Sequence, residues 1–296
     1  MMTKRRATPL ETVFVTVPEG ALEAYEAALN SACETVGFFL DDKTGDWRVE
    51  GVKPVHTNEP ELAAALLLAA LVTGVSATLE RASTEAEGWL ARTYASFPEQ
   101  PIGKRFAVRG THLTDKPTSG RVVLTLDAGL AFGSGEHGST RGCIVALETV
   151  SRRHPRRILD LGTGSGILAI AAAKLLRRKV LGSDIDPWSV KVARRNAKQN
   201  GVGGLVRARL ANGWHHPAVS GGGPYDLVFG NILARPLCAM AKHLSVHLAP
   251  GGTAILAGLL GTQARMVLAA HRRRGLVLEQ MLPQGPWTTL VVRKRG

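Results

Sequence analysis

The segment Arg157-Ile-Leu-Asp160-Leu-Gly162-Thr-Gly164-Ser-Gly166-Ile-Leu-Ala-Ile constrains the fold of this chain more than any other. It reads as a buried strand that enters a glycine-rich turn and leaves it as a helix. Glycine at such a turn lets backbone approach a ligand where any Cβ would collide. From this point strands and helices alternate, over residues 157–161, 166–176, 179–184, 187–200, 205–210, 225–231, 236–248, 253–257, 263–273, 276–281 and 288–292. Regular alternation of this kind is the pattern of a doubly wound α/β sheet.

The chain before it is organised differently. Residues 12–17 are β-branched and aromatic and read as a strand, 18–20 as a turn and 21–34 as an Ala/Leu/Glu-rich helix. Strands are expected at 37–40 and 47–55 across the turn 41–46, then a strongly apolar helix over 59–72 and a last short strand over 75–80. The order β-α-β-β-α-β suggests a small ferredoxin-like α+β domain over residues 1–82. Residues 83–98 read as a connecting helix capped at Ser83 or Thr84, so 83–104 is expected to be a linker and 105–296 a second domain. Between 105 and 126 the pattern is of short strand-like pieces.

The longest apolar run, eleven residues from Leu62 to Val72, falls short of the roughly 20 needed to cross a bilayer. The basic N-terminus lacks an apolar stretch of signal-peptide length. Three cysteines, Cys33, Cys143 and Cys238, lie too far apart in sequence to suggest a disulfide framework or a clustered metal site, so a cytoplasmic setting without metal is expected. The net charge of +13 invites a nucleic-acid reading. It is unevenly placed: residues 1–82 carry seven basic and twelve acidic side chains, a net −5, and residues 83–296 carry 30 and 12, a net +18.

The candidate site residues lie at the ends of the expected strands. A nicotinamide or flavin dinucleotide turn requires Gly-x-Gly-x-x-Gly, but the residue three after Gly164 is Ile167 and the glycine falls at Gly166. With Asp160 just before it, the turn through Gly162 and Gly164 fits S-adenosylmethionine better. Asp184 lies 22 residues beyond Gly162, where such folds place a carboxylate against ribose hydroxyls. Asp186, just before Pro187, reads as a helix N-cap. Asn231 ends the strand 225–231, where its amide oxygen can accept from an amine while its NH2 contacts the cofactor; capping the following helix is the competing role. The stretch Leu126-Asp-Ala-Gly-Leu-Ala-Phe-Gly133-Ser-Gly135-Glu136-His137-Gly138-Ser139-Thr140-Arg141 is a glycine-rich loop that a cofactor or substrate would order. Within its 131–140 core, the titratable residues His137 and Glu136 could act as a base, and His137 could equally hold the loop by hydrogen bonds.

These four elements together resemble the PrmA family, the methyltransferases of large-subunit ribosomal protein eleven, whose loop Ala-Phe-Gly-Thr/Ser-Gly-x-His-x-Thr/Ser-Thr is followed by residues 131–140. The resemblance covers nearly the whole chain. It implies a seven-stranded Rossmann-like methyltransferase domain preceded by a small substrate-recognition domain of ferredoxin-like type. It further implies methyl transfer from S-adenosylmethionine to lysine side-chain and N-terminal amino groups, with cofactor contacts at Thr140, Gly162, Asp184 and Asn231. The segment 210–216 lacks the acid that many methyltransferases place near adenine, which leaves Asn212 as its candidate contact. An acidic recognition domain suits a lysine-rich ribosomal protein, and the basic body leaves room for incidental contact with ribosomal RNA. Two readings compete: a lysine methyltransferase acting on another protein, and a nonenzymatic ribosome- or RNA-binding protein suggested by the basic clusters at 152–157, 177–179, 272–274 and 293–295.

Overall fold

A computed structural model describes residues 10–33, 35–41, 44–83, 99–110, 113, 120–126 and 138–296. The chain divides into two compact units, Met1–Thr93 and Tyr94–Gly296. The connecting helix expected over 83–98 lies, apart from Ser83, outside the described residues.

In the first unit β1 (Leu10–Val17), α1 (Leu22–Asn30), β2 (Thr35–Leu40), β3 (Trp47–Pro54), α2 (Glu59–Thr73) and β4 (Glu80–Ser83) follow in order. The strands form one antiparallel sheet in the order β2-β3-β1-β4. Alternate residues of β1 (Val13, Val15, Val17) and of β3 (Trp47, Val49) are buried, as are Tyr25 and Leu29 of α1 and Leu62 of α2, which is the period-2 face meeting helical stripes. Lys53 is wholly buried, with its Nζ 2.8 Å from Glu11 and 2.6 Å from Glu59. Arg81 bridges the same two carboxylates. The Arg81 and Lys53 hydrogen bonds push the Glu59 carboxyl down to about 2, so β1, β3, β4 and α2 share one ionic cluster.

The strand expected at 75–80 forms later, at β4. The Tyr25 hydroxyl donates to Val75 O (2.6 Å) and accepts from Ala77 N (3.2 Å), so the backbone there is bonded to a side chain rather than to the sheet. Pairing begins only where Glu80 meets Phe14.

The second unit begins with a three-stranded sheet, β5 (Gln100–Ile102), β6 (Phe106–Gly110) and β7 (Val122–Leu126). It continues through α3 (Gly138–Val150), β8 (Ile158–Leu161), α4 (Ile167–Leu176), β9 (Val180–Asp184), α5 (Pro187–Gln199), β10 (Val206–Leu210) and the short α6 (Pro217–Ser220). The remaining elements are β11 (Tyr225–Asn231), α7 (Ala234–His247), β12 (Leu248–Leu260), α8 (Ala264–Arg272), β13 (Leu276–Gln284) and β14 (Trp287–Lys294). Seven strands form a mixed sheet in the order β10-β9-β8-β11-β12-β14-β13, parallel except that β14 runs antiparallel to both its neighbours. Two apolar clusters cover its faces. One holds Ile144 and Leu147 of α3 and the apolar residues of α4 against Ile158, Phe229 and Ile255; the other holds Leu237 and Leu244 of α7 and Val267 of α8 against Leu159, Val228 and Leu290.

From β8 the sheet grows outward through β9 and β10 on one side and through β11 and β12 on the other. The gap between β8 and β11 is therefore the topological switch point, and open α/β sheets bind ligands outside the carboxyl ends of the strands flanking it.

Candidate functional site

Four of the expected site elements meet at that edge. After the fully buried strand β8, Gly162 turns with φ +70°, a conformation that costs an L side chain steric strain. A Cβ at Gly162 would collide with the Ile232 side chain. The turn is tied to β9: the N–H groups of Gly162 and Thr163 both donate to Ser183 O at 2.9 Å. Gly164 N donates to Asp184 Oδ2 at 2.8 Å, and Asp186 N donates to Asp184 Oδ1 at 3.1 Å. Asp184 is thus half-buried at the carboxyl end of β9 with each oxygen aimed by one backbone N–H and retaining a lone pair for a further donor. Asp186 caps α5, accepting from Trp188 N and Ser189 N at 3.0 and 2.9 Å.

Across the switch point, Asn231 Nδ2 donates to the hydroxyl of Thr140 in the first turn of α3 at 3.3 Å. This orientation leaves Oδ1 of Asn231 as the acceptor. The cap of α7 is Leu233, with no side-chain bond, so Asn231 is not spent on capping that helix. Strands lie ~4.8 Å apart, which sets Asn231 and Asp184, two strand positions from each other, about 10 Å apart with the glycine turn between them. His137 and Glu136 lie outside the described residues, as does the loop from 127. Asn212 is exposed just past β10.

Two contributions go beyond what the sequence motifs assign. Asp160 is buried in β8, and its Oδ2 accepts from Thr163 Oγ1 (2.6 Å) and Ala169 N (3.1 Å), so one carboxylate clamps the turn to the start of α4. Burial, with the neighbouring Asp184 charge adding to it, pushes the Asp160 carboxyl up to about 6 against those two donors. Its Oδ1 is buried and unpartnered among the described residues. Only the acid's position before the glycines hinted at this. The second contribution is an apolar rim: Ile185 and Leu210, 72% and 51% exposed, stand beside Asp184 at adjacent strand ends.

A folded-state carboxyl above its ordinary value holds a proton that the unfolded chain has already lost between pH ~4 and ~6, so stability falls as pH rises through that window. The span corresponds to about 3 kcal/mol. The Asp160→Asn variant is expected to lose this slope: its urea midpoint should stay level from pH 4 to 6 while that of the parent falls, and parallel curves would show that Asp160 is not the group responsible.

The residues present fit a cationic adenosyl cofactor. A buried unpaired carboxylate oxygen, a left-handed glycine turn at the switch point, a strand-end carboxylate and an apolar rim converge on one edge of the sheet. Among the described residues no cluster of His, Cys, Asp or Glu could hold a metal ion, and no helix is long and apolar enough to cross a membrane.

A seven-stranded sheet of this order with a glycine turn at its switch point defines the class, a Rossmann-like methyltransferase. The family model described as "Ribosomal protein L11 methyltransferase (PrmA)" matches residues 24–295. The chain is 45% identical over 231 residues, 78% of each chain, to a ribosomal protein L11 methyltransferase of Rhodopseudomonas palustris (strain BisB5). It is 39% identical to that of Sinorhizobium fredii (strain NBRC 101917 / NGR234) over 95% of this chain and 98% of the relative. The crystal structure of a ribosomal protein L11 methylase from Lactobacillus delbrueckii subsp. bulgaricus superposes with a TM-score of 0.62 at 27% identity, covering 68% of this chain and all of that one. The chain belongs to the ribosomal protein L11 methyltransferase (PrmA) family.

Proposed function

We propose that this protein transfers methyl groups from S-adenosylmethionine to lysine side-chain and N-terminal amino groups of ribosomal protein L11 in the cytoplasm. The observation that carries the reading is the meeting of the Gly162 turn, Asp184 and the Asn231–Thr140 pair at the switch point. When bound, the cofactor supplies an electrophilic methyl group on a sulfonium. Asp184, its oxygens aimed by two N–H groups, accepts from the ribose hydroxyls, and Ile185 and Leu210 offer apolar surface to the adenine. Asp160 adds negative charge beneath the turn, which suits a cationic ligand.

The acceptor amine is the difficult partner. A lysine of ordinary pKa, about 10.4, is under ~0.1% neutral at pH 7, a penalty of about 4.6 kcal/mol. Asn231 cannot take the proton, because an amide is no base at this pH. Its Oδ1 can accept an amine N–H and so direct the nitrogen lone pair, and alignment of that kind supplies much of the acceleration of a displacement. Exclusion of water from the amine lowers its pKa and assists loss of the proton to solvent. Of the loop's two candidate bases, His137 and Glu136, His137 is assigned to this step or to holding the loop.

The same reading makes residues 1–82 a ferredoxin-like recognition domain, 83–104 a linker and 105–296 the catalytic domain. Supporting it are the β2-β3-β1-β4 sheet order with β-α-β-β-α-β connectivity and the acidic balance of that segment. On α2, Leu67, Leu68, Leu71 and Val72 are each more than 60% exposed, an apolar surface suited to a protein partner. The experiment incubates the full chain with methyl-labelled S-adenosylmethionine and unmethylated ribosomal proteins, and maps the label by mass spectrometry. Label on lysines and the N-terminus of ribosomal protein L11 is expected; label confined to other proteins would assign a different substrate.

A further inference from the structure

On the edge of the sheet opposite the cofactor site lies a groove with a cavity volume of ≈ 790 Å³, lined by five basic side chains and no acidic one. Arg156 and Arg157 precede β8, Lys179 precedes β9, and Arg207 and Arg209 project from the edge strand β10 at i and i+2, on one face. The parallel pairing of β8, β9 and β10 brings these residues together from across positions 156–209. Arg156, Lys179 and Arg207 are exposed, and among the described residues none of them has an ion-pair partner. The carboxylate of Asp226 on the neighbouring β11 is taken by the backbone N–H groups of Arg156 and Arg157, at 2.8 and 2.9 Å. Arg157 reaches the Gly223 carbonyl at 3.4 Å.

Like charges held side by side without counter-charges repel one another, and the fold gains nothing from gathering them. We infer that this groove binds the phosphodiester backbone of RNA. Four of the five cations are arginines, whose planar forks match phosphate oxygens. Gly203, Gly204, Gly221 and Gly222 line the groove without side chains, so a bulky ligand backbone can approach closely. The lining aromatic, Tyr225, is buried with its hydroxyl donating to Val219 O at 2.6 Å, which leaves no exposed ring to stack a base or anchor a protein partner. Recognition is therefore of phosphate rather than of sequence. The inference goes beyond methyl transfer and does not depend on it.

The test measures binding of a fluorescein-labelled, mixed-sequence single-stranded RNA to the full chain by anisotropy across a KCl series. Each phosphate neutralised contributes about 0.7 to the slope of log K against log[salt]. The triple variant Arg156→Gln, Lys179→Gln, Arg207→Gln is expected to lose affinity and to flatten that slope by about 2. A control triple with the same charge change, Arg272→Gln, Arg273→Gln, Arg274→Gln, should keep the parent slope, and the groove variant should methylate free ribosomal protein L11 at the parent rate. If the groove triple does not fold, Arg207→Gln alone is read for a flattening of about 0.7. Equal loss in both triples, an unchanged slope in the groove variant, or polyglutamate displacing RNA at equal charge concentration would each overturn the inference.

Discussion

The Asp184→Ala variant is expected to bind S-adenosylmethionine about 100-fold more weakly than the parent, a loss of about 3 kcal/mol. Two effects combine. The ribose hydroxyls lose a charged acceptor, and the Gly164 and Asp186 N–H groups, now held at 2.8 and 3.1 Å, lose the carboxylate that fixes the turn against β9. Asp186→Ala is the informative control, because among the described residues that carboxylate bonds Trp188 and Ser189 of its own helix. It should cost about 1 kcal/mol of stability and leave cofactor affinity in place. Calorimetry showing the Asp184→Ala affinity within threefold of the parent would remove Asp184 from the cofactor site.

Asn231→Ala is expected to act on turnover rather than on binding. Removal of a single preoriented polar group at a reacting centre typically lowers kcat by about 100- to 1000-fold. Here the group is Oδ1 of an amide whose other end is held by the Thr140 hydroxyl. Single-turnover kinetics with saturating cofactor should show the loss in the methyl-transfer step, with cofactor affinity changed by less than about tenfold. Thr140→Val keeps the amide but frees it to rotate, and a fall of about tenfold is expected. Methyl transfer by Asn231→Ala at the parental rate would mean that the acceptor is oriented by something else.

Much of this architecture could be read from the chain because its determinants are local. The strand at Tyr225–Asn231 and the Asp186-Pro187 helix start have the extents that alternation and capping chemistry imply. Two elements escaped because tertiary contacts decided them. Strand formation at 75–79 loses to the Tyr25 hydroxyl, reaching across 50 residues of chain. Strand β12 begins at Leu248 rather than near 253, since its pairing with β11 steps from Tyr225/Leu248 to Leu227/Thr253 and so absorbs Pro250, Gly251 and Gly252 in an irregularity. At the site, the glycines and strand-end polar residues are visible as motifs. The clamp made by Asp160 is not, because its effect comes from complete burial and from Thr163 and Ala169 as partners. The basic groove is likewise assembled only by strand pairing, which joins Arg156, Arg157 and Lys179 to Arg207 and Arg209 of the edge strand.

Ile232 touches both halves of the site. Its side chain blocks a Cβ at Gly162 in the cofactor turn, while its backbone lies so near Gly258 of β12 that a Cβ there would sit 2.5 Å from Ile232 O and 2.9 Å from Ile232 N. Asn231 is the residue before it. One isoleucine is therefore wedged between two glycines, like a shim in a jig, and a side chain added at either glycine would push on it and on the neighbouring Asn231.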